Sequence, residues 1–305
     1  MPRKTLIHAL RVSHDDSDVG LSTCTLSTSS SVLEDIDEND AERHECIVEY
    51  AEDVMNDLRR KEEQQHSALR PLPPSAVNRR SALLGWSQTV RQRFALLLDT
   101  TLMAVAILDR FMSLKVTDDG TGATDINVMH AGAALLLSAA LEETYAPTAE
   151  DMLQACISAS FRPPSRTLPE SSGVFDNAHM LTRAQLCSAT SEMAHALGYD
   201  LWSINFLHFL RRFSRASQHT ISEHNRAKRF CIEALQHYDA VVLPLRPSAI
   251  AAAGIYHTRL SFPQRFQRPW SKTLAHFSGY SEEQAAQYFC IVRQCKTLRE
   301  PENGL

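Results

Sequence analysis

The chain has 305 residues, 44% of them hydrophobic, and carries a formal net charge of −5. This length is sufficient for two domains, and the mild negative charge gives no indication of general nucleic-acid binding. The seven cysteines include no C-x-x-C pair, and no apolar stretch is long enough to cross a membrane. The sequence therefore predicts reduced thiols in a protein of the nucleus, the cytoplasm or both.

The N-terminal part of the chain changes character near residue 45. Residues 1–44 contain STCTLSTSSS and EDIDENDAE with few large apolar side chains, which predicts a disordered tail. The following segment, Glu45 to about Glu63, has apolar residues on one helical face, and acids precede bases along it. We expect one amphipathic helix here, which ends before Leu72-Pro73-Pro74.

The stretch from Arg80 to Ser113 predicts two helices joined by a tight turn. The first has an apolar stripe of period 3.6 made of Leu83, Trp86, Val90, Phe94 and Leu97. Asp99 is the predicted N-cap of the second, which runs from Thr100 to Met112 and is apolar on nearly every face. Such a helix belongs in the middle of a bundle. Asp109 interrupts it, and its burial would require a cation, for which Arg80 is the expected partner.

The remaining segments complete an all-α pattern with two similar halves. In the first half we expect a loop at Lys115–Ile126, helices at Asn127–Glu142 and from Thr148, an irregular insertion at Phe161–Gly173, and a helix capped by Thr182 that ends near Leu197. In the second half we expect a helix capped by Ser203, then helices at Ile221–Tyr238, from Pro247, near Ser271–Phe277 and at Ser281–Leu298. The small-residue helix after Pro247 echoes the one after Asn127, which indicates a duplicated unit.

The sequence contains no recognisable catalytic or metal-binding arrangement. The thirteen histidines are scattered, and no third ligand completes the pair formed by His224 and Cys231. Glu142 and Glu143 are adjacent and point apart on a helix, so they do not form an acid–base pair. Neither a phosphate-binding glycine loop nor a nucleophile motif is present. We therefore expect a binding protein without catalytic residues, cofactors or metal.

Several of these segments together resemble the cyclin family, of the A and B type. The motif R-x-x-L-x-x-W from Arg80, followed by L-D-R-F around Asp109, is similar to the core of a cyclin box, where an Arg and an Asp pair. The E-Y-x-E-D segment at Glu49 and the E-E-x-Y-x-P segment at Glu142 are also similar to cyclin sequences. The resemblance implies a tail at 1–44, an N-terminal helix and first five-helix box at 45–200, and a second box at 201–300.

The resemblance also implies a partner, a cyclin-dependent serine/threonine protein kinase whose mobile helix the first box would bind. The positions that match the binding surface of the family are Val54, Leu58, Leu137, Ala140, Leu141, Glu143, Tyr145, Thr190, Ala194, Tyr199 and Leu201. Two of these depart from the family pattern, because Ala140 replaces a Lys and Thr190 replaces a Glu. Since both charges are missing together, the predicted contact is more hydrophobic and leaves no single buried charge.

A second implied surface is a docking patch for substrates of the kinase. The matching residues are Arg79, Ala82, Leu83 and Trp86, of which Leu83 and Trp86 would form a shallow apolar groove. The acids that the family usually has at its rim fall on Gly85 and Thr89, and Arg91 and Arg93 are nearby. A basic rim disfavours a cationic R-x-L peptide and favours an acidic or phosphorylated one.

Two functional hypotheses remain open. The first is a cyclin that binds and activates a kinase in cell-cycle control, as the first-box match and the complete second box favour. The second is an adaptor or scaffold with the cyclin fold and without kinase activation, as Ala140 and Thr190 favour.

Arg3 and Leu6 also have the minimal R-x-x-L spacing of the destruction signal of mitotic cyclins.

Overall fold

The computed structural model describes Ile36 and residues 50–116, 125–161 and 173–297. Over these residues the chain forms α-helices and short helical turns, with no strand, which confirms the all-α prediction. The rest of the predicted tail, the residues of the first helix before Tyr50, and residues 117–124 and 162–172 of the predicted loop and insertion lie outside the described part.

The described helices form one leading helix and two consecutive groups of five. The leading helix and first group are α1 (Ala51–Ser67), α2 (Pro74–Arg93), α3 (Leu98–Lys115), α4 (Val128–Glu142), α5 (Ala149–Phe161) and α6 (Arg183–Ala196). The second group is α7 (Phe206–Ala216), α8 (Ile221–Ala234), α9 (Pro247–Ser261), α10 (Lys272–Ser278) and α11 (Glu282–Thr297). A 3₁₀ turn at Ala178–Met180 precedes α6, and a π-helical turn at Tyr238–Val242 follows α8.

Each group surrounds its own hydrophobic core, and α3 lies inside the first. Most side chains of α3 are buried, including Met103, Ile107 and Phe111, as the apolar run predicted. Leu102, near the start of the helix, is buried as well, but it packs into the core of the second domain. The helix therefore contributes to both domains and joins them.

Corresponding small-residue helices allow close packing in both domains. A Cβ atom added at Gly132 of α4 would lie 2.8 Å from Sγ of Cys156, and one at Gly254 of α9 would lie 2.5 Å from Sγ of Cys231. Neither position has room for a side chain without rearrangement of its neighbour. Both thiols are buried, and burial raises the pKa of Cys156 to about 12. The likeness of the two halves seen in the sequence thus has a common packing function.

The turn between α2 and α3 differs from the prediction. Helix α2 begins at Pro74, earlier than expected, and ends at Arg93, so that Leu97 is exposed and lies at the N-cap of α3. The prediction that Asp99 caps α3 is wrong. Asp99 lies within the first turn, where its carboxylate accepts a hydrogen bond of 2.8 Å from Arg211 of α7.

Two boundaries in the second domain also differ. Asn205, and not Ser203, caps α7, since its side chain accepts a hydrogen bond from the Leu207 amide and Ser203 lies two residues further outside. Helix α8 ends at Ala234, and the predicted continuation to Tyr238 is replaced by an irregular connection. The caps predicted at Thr182 and the start predicted at Pro247 agree with the structure.

Candidate functional site

Arg80 and Asp109 form a buried pair that also reaches the second domain. Arg80 Nε donates to Asp109 Oδ1 at 2.5 Å and Nη2 donates to Oδ2 at 2.8 Å, while Nη1 donates to the Leu235 carbonyl oxygen at 2.7 Å. The exposed fractions of Arg80 and Asp109 are 0% and 4%. The guanidinium carbon lies 5.0 Å from the ring centroid of Tyr238. Sequence reasoning missed the partners in the second domain, because a backbone carbonyl leaves no signal in a motif.

Tyr238 continues this network towards the segment that follows α1. Its hydroxyl donates to the Arg70 carbonyl oxygen at 3.0 Å and lies 3.2 Å from Ser113 Oγ. Burial and the nearby Asp109 raise the pKa of Tyr238, so it remains a neutral donor. The two domains and the α1–α2 connection therefore meet at one polar cluster whose groups have partners.

Helix α1 is attached to the second domain along one face. Arg59 donates to the Phe277 carbonyl oxygen at 2.9 Å, and Gln65 both donates to the Trp202 carbonyl and accepts from the Ile204 amide, each at 2.9 Å. Glu62 is 2% exposed and accepts from the amide and hydroxyl of Ser248. Burial raises the pKa of Glu62 against the opposing effect of these hydrogen bonds. This face of α1 is therefore unavailable to another protein.

The expected kinase-binding residues fall into accessible and buried groups. Tyr145 is 91% exposed, Tyr199 70% and Leu141 41%, and Ala140 is exposed as well. Partly exposed positions are Val54, Leu137, Glu143, Thr190 and Leu201. Leu58 and Ala194, which were also expected to contribute contact surface, are buried, with 4% and 7% of their surface exposed.

Glu143 has a structural role that the sequence did not reveal. Its Oε1 accepts a hydrogen bond of 2.8 Å from the Leu97 amide and one of 2.5 Å from the Thr100 hydroxyl. These donors lie at the N-terminus of α3, where a carboxylate also interacts favourably with the helix dipole. Glu143 thus takes the capping role predicted for Asp99 from a distant position in the sequence.

Of the two positions that lack the family's charges, Thr190 makes a local hydrogen bond. The Thr190 hydroxyl donates back to the Leu186 carbonyl oxygen at 2.8 Å, so its polar group is satisfied within α6. Glu192, two residues further on, binds Lys115 at 2.5 Å. That pair is exposed on both sides, and Glu192 does not replace the acid missing at Thr190.

The predicted docking patch is not an open groove. Leu83 and Ala82 are 0% exposed and Trp86 is 3% exposed, and all three belong to the first hydrophobic core. The stripe that the sequence suggested as a groove floor packs inward, because α2 contacts both α3 and α4. Arg79 is partly exposed, and its Nη1 donates weakly to the Ile126 carbonyl oxygen at 3.5 Å.

The described residues offer few candidates for other kinds of site. No group of three or more His, Cys, Asp and Glu side chains in that part of the chain has an arrangement suited to a metal ion. No helix there is long and apolar enough to span a membrane. His130 hydrogen-bonds within the N-terminal cap of α4 and stacks on Phe111, and His257 stacks on Phe230 and Phe289. Both histidines have structural partners.

Comparison with solved structures supports the fold. The chain is similar to a viral cyclin from herpesvirus saimiri, with a TM-score of 0.56 over 80% of this chain and 96% of the viral one. The sequence identity is 18%, so this likeness concerns the fold alone.

Comparison of the sequence with known families and relatives is more specific. A G2/mitotic-specific cyclin-B2 of Anguilla japonica is 32% identical over 82% of this chain, and a G2/mitotic-specific cyclin-B of Patella vulgata is 30% identical over 83%. The chain spans about half the length of these curated relatives, 56% and 55%. Residues 53–202 match the N-terminal cyclin domain and residues 204–302 match the C-terminal cyclin domain. Because the two matches together span most of its length, the chain belongs to the cyclin family and resembles the B-type mitotic members.

Proposed function

We propose that the chain is a regulatory subunit that binds and activates a cyclin-dependent serine/threonine protein kinase in cell-cycle control. The observation that carries the proposal is the exposure of Leu141, Tyr145 and Tyr199 at positions that match the family's kinase-binding surface. Exposed Tyr and Leu side chains of this size are typical of protein–protein contacts. The names of the relatives, which are mitotic cyclins, favour a role in mitosis.

The physical basis of activation would be a rigid surface that fixes a mobile helix of the kinase. Docking of that helix completes the Lys–Glu ion pair of the kinase and orders its activation loop. In this chain α3 is buried in both cores, and Glu143 ties the end of α4 to the start of α3. A surface held in this way loses little conformational entropy on binding, which favours affinity.

The proposal is tested by kinase capture and activity with variants of the exposed residues. Leu141→Asp and Tyr199→Asp place a carboxylate in a contact that becomes desolvated, so each should reduce capture of the kinase at least tenfold. Ile221→Asp is the matched control, because Ile221 is 67% exposed but lies at the start of α8 in the second domain. The helical circular dichroism of all three variants should equal that of the parent. Undiminished capture by both first-domain variants would contradict the proposal.

The alternative is an adaptor that uses the cyclin fold without activating a kinase. Ala140 and Thr190 favour it, since the charged pair that the family uses at these positions is missing. The two functions separate in one experiment, in which the purified chain is added to the captured kinase. An increase in phosphorylation of a substrate supports activation, whereas binding without an increase supports the adaptor. With Leu83 and Trp86 buried, substrate docking at this patch finds no support in the structure.

A further inference from the structure

The second domain has a charge opposite to that of the rest of the chain. Residues 204–297 contain thirteen Lys and Arg against five Asp and Glu, a net charge of +8, although the whole chain carries −5. Residues 1–49 contain four Lys and Arg against eleven Asp and Glu, a net charge of −7. The excess positive charge of the second domain attracts an acidic partner, and the most acidic segment of the chain is covalently attached beside it.

Part of this positive charge lies beside α1. Arg212 and Arg215 are three residues apart on α7 and therefore share a face of that helix. The guanidinium carbon of Arg212 lies 5.0 Å from the Phe277 ring centroid, and the Phe277 carbonyl accepts the hydrogen bond from Arg59 of α1. We call the surface formed by Arg212, Arg215 and Phe277 the basic face. Phe277 packs against the same hydrophobic core cluster as Val54 and Met55, which lie near the start of α1.

Ile36 provides independent evidence that the preceding segment reaches the second domain. Ile36 is half-buried and packs against the hydrophobic core cluster of the second domain. It stands in LEDIDEND, residues 33–40, which contain five carboxylates and no cation. The fourteen Cα steps from Ile36 to Tyr50 span up to about 50 Å when extended, so the connection permits this contact.

We propose that the acidic segment 33–40 binds the basic face of the second domain of the same chain. Ile36 is the apolar anchor, and the neighbouring acids Asp35 and Asp37 are opposite in charge to Arg212 and Arg215. An apolar anchor surrounded by complementary charge combines the desolvation of one side chain with attraction that salt weakens. The segment thus occupies a surface that would otherwise attract any polyanion. This proposal does not depend on kinase binding.

The test uses a labelled peptide of residues 31–42 and the full chain. In the parent, the attached segment competes with the peptide, so binding should be weak. In a chain with Asp35→Lys, Ile36→Asp and Asp37→Lys the face should be open, and we expect the peptide to bind at least tenfold more tightly in fluorescence anisotropy. Binding to this open chain should weaken as the salt concentration rises.

Two arginine pairs locate the site on the open chain. Arg212→Glu with Arg215→Glu should reduce peptide binding at least tenfold, whereas Arg226→Glu with Arg229→Glu, which changes two exposed cations of α8, should leave it nearly unchanged. A peptide with Asp35→Arg and Asp37→Arg should bind the Arg212→Glu, Arg215→Glu chain better than the natural peptide does. If that double variant does not fold, Arg215→Gln alone, at an exposed position, gives the same comparison with a smaller effect.

The outcomes that overturn the proposal are distinct. Peptide binding that is equal in the parent and the open chain shows that the attached segment does not occupy the face. An equal loss from both arginine pairs shows attraction to the net charge of the domain without a defined site. Heparin that binds the parent as tightly as it binds the open chain assigns the face to an external polyanion.

Discussion

Removal of one member of the buried ion pair provides the most direct test of how the two domains are joined. Asp109→Ala leaves the Arg80 guanidinium, which is 0% exposed, with the Leu235 carbonyl, the Tyr238 ring and the electrostatic attraction of Asp239. Loss of one partner of a buried pair costs about 3–5 kcal/mol, because the remaining charge stays out of water. Since a domain of ordinary stability has about 5–15 kcal/mol, this variant should be close to unfolding.

The measurement is urea unfolding followed by circular dichroism, with a matched surface pair as the control. Glu192→Ala removes an ion pair with Lys115 whose side chains are 39% and 51% exposed, and such pairs contribute about 0–1 kcal/mol. Asp109→Ala should therefore lower the free energy of unfolding several times more than Glu192→Ala. Equal losses in the two variants would refute the reasoning, since burial would then have no energetic consequence at Arg80.

Three further predictions follow from other contacts. Glu143→Ala removes the cap of α3 and should lower the free energy of unfolding in urea by about 1–2 kcal/mol. Asp99→Ala should lower it by less. Burial lowers the pKa of His219 to about 3, so the free energy of unfolding falls as the pH drops below about 6.5. His219→Asn should recover about 2 kcal/mol of this free energy at pH 5, as measured by melting at several pH values. Kinase capture should depend little on the salt concentration. The double variant Ala140→Lys with Thr190→Glu should make capture both tighter and more dependent on salt.

The sign of the pH effect follows from proton uptake. Below about pH 6.5 the unfolded chain protonates His219, whereas the folded chain keeps the ring neutral until about pH 3. The two ring nitrogens lie buried with no hydrogen-bond partner among the described residues, which agrees with a neutral ring. Burial also lowers the pKa values of His66, His130 and His208. The free energy of unfolding of the His219→Asn variant should therefore still fall with decreasing pH, but less steeply than that of the parent. An unchanged acid slope in His219→Asn would contradict this explanation.

The sequence predicted the helices well wherever a local signal defines them. Thr182 is a cap, Pro247 occupies the first helical turn, and the apolar run of α3 is buried, because each depends on neighbours within a few residues. The prediction for Asp99 was wrong because the true partner of the α3 start, Glu143, lies more than forty residues away. Local sequence rules favour Asp99 because it lies next to the helix start, and they carry no information about a distant acid such as Glu143 that accepts hydrogen bonds from the same turn.

The candidate site was less predictable than the fold, since exposure depends on tertiary packing. A stripe such as Leu83 and Trp86 has the same sequence pattern whether it forms a groove or a core, and here α3 and α4 cover it. Leu58 and Ala194 likewise match surface positions of the family and are buried. Tyr145 and Tyr199 are exposed because they follow the ends of α4 and α6, where the chain leaves the bundle.

The salt prediction follows from the charges that remain near the proposed contact. Ala140 and Thr190 are neutral, and Glu143 already accepts hydrogen bonds from Leu97 and Thr100. Association driven by Leu141, Tyr145 and Tyr199 would bury apolar area, and salt does not screen this contribution. In contrast, salt screens the attraction between exposed charges, largely so beyond a Debye length of about 8 Å at physiological ionic strength.

Kinase capture at low and high salt, about 50 and 500 mM, should therefore differ by less than threefold for the parent. Ala140→Lys with Thr190→Glu introduces the charges of the family and should make capture both tighter and more dependent on salt, provided that the partner helix presents polar backbone groups to them. Ala140→Lys alone leaves a cation without its acid and should weaken binding. Strong salt dependence in the parent would show that charged residues outside this surface dominate the association, and the hydrophobic contact would lose its main support.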